Sequence, residues 1–175
     1  IKDMALQLKS YQRPKMPIAI ACSGSEKSLE FAGSNGLKAL SLAKPPGPSS
    51  IPLSNQWDVI SNAADKTGKN VDRNEWELVT YVYLADTKKQ AMDDIESGAH
   101  RDIHEYFSTI SDNGIDQYKN SKDQHEDDVT VSSVINKRSW IIGTPDDAIK
   151  EIEKLEKEAG GIGGLMITTH EWVSE

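Results

Sequence analysis

Cysteine is nearly absent from the chain: Cys22 is the single thiol, so no disulfide can close within it. Long apolar runs are lacking as well, and none approaches the roughly 20 residues needed to cross a bilayer, which sets a membrane-spanning role aside. Clustered positive charge is also missing. The 20 Lys and Arg are outnumbered by 28 Asp and Glu, the formal charge is −8, and the basic residues are scattered. Nucleic acid is therefore not an expected partner. Residues 1–12 have neither the charged n-region nor the apolar h-region of a signal peptide. These absences predict a cytoplasmic protein, and a length of 175 residues predicts one domain around one core. Ile1 is not a methionine and Glu175 follows an apolar strand with no closing helix, so a fragment of a longer protein is expected.

Pro17-Ile18-Ala19-Ile20-Ala21-Cys22 is a short apolar run opened by proline, which suits a strand covered on both faces. It leads straight into Ser23-Gly24-Ser25. Leu29, Phe31 and Ala32 fall on one side of a helix predicted from Glu26 to Ser34, and Asn35-Gly36 stops it. Leu37 to Ala43 reads as a second strand, closed by the irregular loop Lys44-Pro45-Pro46-Gly47-Pro48-Ser49-Ser50. Trp57, Val59, Ile60, Ala63 and Ala64 recur at helical spacing between Ser54 and Lys66. Trp76 to Ala85 is the longest β-rich run. Asp86-Thr87 caps a helix through Ala91, Met92 and Ile95 that is expected to extend past Gly98 to Phe107.

Residues 111–134 are polar and without periodicity. Order returns at Trp140, and Thr144 as N-cap, Pro145 at N1 and Asp147 at N3 begin a helix that runs to Gly160-Gly161. Ile162 to Thr169 is the last strand. Strands and helices thus alternate, which predicts parallel βα units with right-handed crossovers, and four strands fit either a small open sheet or half of a closed barrel.

In a parallel sheet, ligands gather where strands end and helices begin. Cys22-Ser23-Gly24-Ser25 lies at such a place. Two hydroxyls and a glycine beside a helix N-terminus suit an anion, because that terminus exposes unpaired N–H groups and a partial positive charge. Ser25 serving only as a helix cap is the plain alternative. Cys22 reads as packing that offers contact at most. Ser41, near the end of the second strand, either brings its hydroxyl to a ligand ring or is ordinary polar alternation. His170, where the last strand empties, is either a proton donor or a solvated terminal residue.

Several of these stretches resemble one family. Residues 17–25 with Glu30 to Leu37 resemble the fifth strand, loop and helix of the bacterial luciferase-like flavin monooxygenases. Val82 to Thr87 with Ala91 resembles that family's seventh strand and helix start, and Ile142 to Ala148 with Gly160 to Met166 resembles its last helix and eighth strand. The resemblance implies an α/β TIM barrel of (β/α)8 type, with this chain as the C-terminal half, strands five to eight, and an insert before the last helix. It implies a flavin-dependent monooxygenase in which reduced FMN, delivered by a separate flavin reductase, and oxygen act on a small organic substrate. The alternative cofactor is a deazaflavin used for hydride transfer. Cys22, Ser23, Gly24, Ser25 and Ser41 would bind the cofactor and His170 would be catalytic. The family's acidic residue before the serine is Cys22 here, so a side-chain role at that position does not transfer. The ending Thr168 to Trp172 resembles an alkane- or terpene-oxidising subgroup.

His100 and His104 share a helical face beside Glu105, but no HExxH or paired cysteine accompanies them, and no metal site is expected. The insert, residues 111–139, is expected to be a lid. Four βα units leave sheet edges and an apolar face open, so a homodimer is expected, or else a catalytically incomplete half-barrel that binds flavin phosphate or self-associates.

Overall fold

A computed structural model describes residues 10–13, 16–45, 50–110 and 113–173. Positions 46–49 of the proline-rich loop, Ser111 and Asp112 at the start of the insert, and both chain ends lie outside the described residues. The elements follow the alternation of the sequence. β1 (Ala19–Cys22), α1 (Glu26–Asn35), β2 (Lys38–Leu42), α2 (Leu53–Thr67), β3 (Glu77–Leu84) and α3 (Lys88–Arg101) come first. A π-helical segment, Asp102–Phe107, continues α3 into the short α4 (Ser108–Ile110). Then come α5 (Val131–Arg138), β4 (Ile141–Gly143), α6 (Pro145–Ala159) and β5 (Gly164–Thr168). No helix among the described residues is long and apolar enough to cross a membrane.

Every strand pairing among the described residues is parallel, with β1, β2, β3 and β5 lying side by side. Two corrections to the predicted element list stand out. Ile141–Gly143 is a fifth strand, pairing with Val82–Leu84 at the end of β3. Three residues are too few to show a strand period, although all three are buried. The insert is not without secondary structure either. Its 3-10 turns Gly114–Tyr118 and Glu126–Asp128 lead to α5, and Ile115, Tyr118, Val129, Val131, Val134 and Ile135 are all buried. Val131, Val134 and Ile135 do carry helical spacing, but for barely two turns inside a polar stretch.

The register fixes which residues share a face. Cys22, Ser41, Leu78 and Leu165 form one row across the sheet, and the first three are almost fully buried beneath the helices with Leu29, Ala32, Ile60, Trp76 and Leu155. Successive side chains in a strand point to opposite faces, so the next row, Leu42, Val79 and Met166, looks the other way. Met166 is 40% exposed there. A second core gathers Ala91, Ile95, Ala99 and Ile103 of the long helix with the insert, Trp140, Ile142 and Trp172. Each fully buried isoleucine among them contributes roughly 1.5–3 kcal/mol. Gly98 makes one part of this packing possible: a Cβ there would stand 2.3 Å from the Trp172 carbonyl oxygen, so any side chain would drive the chain end off the helix.

Helix ends are closed as the sequence predicts. Ser25 Oγ accepts from Ser28 N at α1, and Thr144 and Asp147 bond reciprocally at α6, where Thr144 N and Oγ1 both donate to Asp147 Oδ2. Those hydrogen bonds, the backbone one foremost, hold the Asp147 carboxyl below its usual range.

Candidate functional site

The turn after β1 combines a positive-φ glycine with two exposed hydroxyls. Gly24 has φ +83°, a conformation that side chains other than glycine rarely adopt, and a Cβ there would lie 2.5 Å from Pro45. Its carbonyl accepts from Ile51 N at 2.8 Å, so the loop after β2 clasps the turn. Ser23 and Ser25 remain exposed while Cys22 is buried. Burial raises the thiol pKa of Cys22, with an opposing hydrogen bond to Ser28, so the thiol is an unreactive packing group. Ser25 fills the cap role, and its Oγ also lies 2.9 Å from Ser28 Oγ.

A hydrogen-bonded chain of side chains crosses the second core. Asp102, in the first turn of the π-helical segment, is 7% exposed. Its Oδ2 accepts from Trp172 Nε1 at 2.7 Å and stands 3.0 Å from His170 Nδ1. The opposite ring nitrogen, Nε2, is 3.2 Å from the Tyr81 hydroxyl. With Nδ1–H donated to the carboxylate, Nε2 is left to accept the phenolic proton. Aromatic rings enclose the chain: Tyr81 has its centroid 4.9 Å from both Trp140 and His170, and Phe107 is 5.4 Å from His170. Burial first, then the Asp102 charge, raise the Tyr81 pKa, so its oxygen keeps its proton at neutral pH.

Tyr81 also lines a cavity of about 200 Å³ at the carboxyl ends of the strands. Leu42, Val79, Tyr81 and Thr168 form its sheet-side wall; Phe107, Tyr118, Arg138 and Trp140 close it from the other side. Ala43 and Lys44 contribute the rim, and the next residue, Pro45, is the one that covers Gly24. The glycine turn and the aromatic cavity therefore meet at the end of β2.

No family model matches the chain. It is similar to 4-hydroxyprotoasukamycin monooxygenase of Streptomyces nodosus subsp. asukaensis, with 27% identity over 174 residues, covering 98% of this chain and 45% of that protein. It is also similar to limonene 1,2-monooxygenase of Rhodococcus erythropolis, with 27% identity over 173 residues, covering 99% of this chain and 42% of the relative. Among solved structures, the oxygenating constituent of 3,6-diketocamphane monooxygenase of Pseudomonas putida, a type II Baeyer-Villiger monooxygenase in complex with FMN, superposes with a TM-score of 0.67 at 24% identity. That match covers 90% of this chain and 43% of the other. The likeness to these monooxygenases supports the resemblance to the luciferase-like flavin monooxygenases. The chain spans less than half the length of these curated relatives. A long-chain alkane monooxygenase shares the fold with a TM-score of 0.56, covering 91% of this chain and 37% of that one.

Against the family-based expectations, the residues divide into two groups. Cys22, Ser23, Gly24 and Ser25 stay together at one turn, and His170 comes within reach of the cavity through Tyr81. Ser41 is the correction: strand parity turns it to the helix-covered face, where it is fully buried and its Oγ accepts from Trp76 Nε1 at 2.9 Å. Its hydroxyl is committed to the core and does not face the cavity. Sequence reasoning missed Asp102 and Tyr81, because neither stands near His170 in the chain and Tyr81 is one aromatic in a β-rich run. His100 and His104 stack at 4.3 Å, and His104 Nε2 sits 2.9 Å from the Val129 carbonyl, tying the insert to the helix. Among the described residues no cluster of three or more His, Cys, Asp or Glu is arranged for a metal ion.

Proposed function

We propose that this chain carries the flavin-phosphate turn and part of the substrate cavity of an FMN-dependent monooxygenase acting with oxygen on a small organic substrate. The observation behind this reading is the meeting of the Gly24 turn and the aromatic cavity at the carboxyl end of β2. The turn suits a phosphate: only glycine fits its centre, hydroxyls stand exposed on both sides, and α1 begins there. Ser23, Gly24 and Ser25 would hold that phosphate. Reduced FMN supplies the electrons for oxygen activation once bound. Tyr81, Phe107 and Trp140 shield the cavity from water, and Asp102 and His170 hold the Tyr81 hydroxyl in place, His170 Nε2 accepting its proton.

In this reading β1, β2, β3 and β5 are strands five to eight of a TIM barrel, and the insert, residues 111–139, is the lid that brings Tyr118 and Arg138 over the cavity. A separate reductase delivers reduced FMN. The chain pairs as a homodimer, covering exposed apolar residues such as Ile18, Met166 and Ile167.

Equilibrium titration with FMN, riboflavin and a deazaflavin tests the cofactor assignment. FMN should bind at least about tenfold more tightly than riboflavin, which lacks the phosphate, and Gly24→Ala should erase that difference. Equal affinity for FMN and riboflavin would overturn the phosphate turn. Tighter binding of the deazaflavin would transfer the reading to hydride-transfer chemistry. FMN binding without turnover by the 175-residue chain fits a catalytically incomplete half-barrel.

A further inference from the structure

The cavity closed by the insert keeps positive charge and excludes negative charge, in a chain whose formal charge is −8. Arg138 and Lys44 line it, and no Asp or Glu occurs among its described lining residues. Arg138 is half-buried. Its guanidinium lies 5.1 Å from the Tyr118 ring centroid, and its hydrogen bonds among the described residues run from one nitrogen, Nη2, to the Gln117 carbonyl at 3.2 Å and to Gln117 Oε1 at 3.3 Å. Both acceptors are neutral, and among the described residues no carboxylate forms an ion pair with it. Arg101, by contrast, pairs with Asp102. A half-buried cation without a counter-charge is costly, and burial works against its charged form. Lys137 stands beside it, its pKa lowered by burial and by the Arg138 charge. An arginine set against a tyrosine ring, with much of its donor fork unused and lining an aromatic space, suits a planar oxyanion.

We propose that this cavity is an acid-selective substrate pocket: Arg138, assisted by Lys44, takes the carboxylate of a small organic acid whose apolar body packs on Tyr81, Phe107 and Trp140. This names the substrate class of the site in the monooxygenase reading and rests on that reading. The size is adequate for a monocyclic acid, since cavities of about 150 Å³ accept benzene. The acid end is placed at the insert, and the apolar end lies against Tyr81 and the sheet wall.

Calorimetric titration of the 175-residue chain with benzoate and with its neutral counterpart benzyl alcohol, at fixed ionic strength, tests the inference. Benzoate should bind about ten- to a hundredfold more tightly, the range expected of hydrogen bonds to a charged group. Arg138→Gln should abolish that preference and leave FMN affinity unchanged. Should Arg138→Gln fail to fold by circular dichroism, Lys44→Gln, altered at an exposed side chain, should still reduce the preference severalfold. Equal binding of the two probes, or a preference that survives both substitutions, would sink the proposal. Displacement of benzoate by FMN or by inorganic phosphate would also overturn it, by assigning the cations to the cofactor's phosphate. Retained benzoate preference in a chain that does not bind FMN would support the pocket while refuting the cofactor assignment.

Discussion

His170 Nδ1 stands 3.0 Å from Asp102 Oδ2, joining the end of the chain to the π-helical segment that continues α3. The same carboxylate oxygen accepts from Trp172, so one buried acid orients both groups of the His170–Trp172 tail. Asp102→Ala strands two donors in the second core. Urea unfolding followed by near-ultraviolet circular dichroism should show a loss of at least about 2 kcal/mol. Tyr81→Phe, which keeps the ring and removes only the hydroxyl beside Nε2, should cost less than half as much by the same measurement. An Asp102→Ala loss no larger than that of Tyr81→Phe would show that the carboxylate does not organise the tail.

Ser41 and Trp76 give a prediction that separates core from site. Removing the hydroxyl in Ser41→Ala leaves a buried indole N–H unpaired, at a cost of about 1–3 kcal/mol. FMN affinity should not change, because the side chain lies on the helix-covered face. A stable Ser41→Ala protein with weakened FMN binding would contradict the observed orientation.

Tyr118 is pushed up to about 12, by burial first, with the Arg138 charge opposing the rise. A raised folded-state value means that the folded form holds its proton longer than the unfolded chain does. This contribution to stability is complete below pH 10.0 and fades as pH climbs toward about 12. Tyr118→Phe should flatten the alkaline limb of stability against pH, and phenolate absorbance should register one late-titrating tyrosine in the parent that the variant lacks.

The Thr144–Asp147 capping box predicts the opposite sign in acid. Asp147 is held below its ordinary value of 3.8 by the Thr144 N–H and hydroxyl, so the box acts fully above that pH and is lost as acid protonates the carboxyl. Thr144→Ala should cost about 1 kcal/mol at neutral pH. The difference from the parent should narrow progressively in acid, as measured by urea midpoints from pH 7 to pH 2.

The residues differ in how much they disclosed before folding. Alternating apolar runs and caps such as Thr144-Pro145-Asp146-Asp147 named most helices and strands, because capping chemistry and local periodicity are written within a few neighbouring residues. The same local logic put Ser23-Gly24-Ser25 at a strand-to-helix turn, and it identified His170 as a residue at a strand end. β4 and α5 escaped notice because three and eight residues give too short a sample of their period. Ser41 stayed open between a ligand-facing hydroxyl and ordinary polar alternation because five residues with a single hydroxyl do not say which face of the strand the helices cover. Only pairing with β1 and β3 decided it.

By itself, then, the sequence determined the parallel βα order, the helix ends and the glycine turn, all products of short-range chemistry. Tertiary structure alone decided that Asp102 meets Trp172 across 70 residues, that Tyr81 meets His170 across 89, and that Arg138 faces an aromatic cavity. Those contacts depend on sheet register and on one π-helical segment, and neither leaves a periodic trace in the chain.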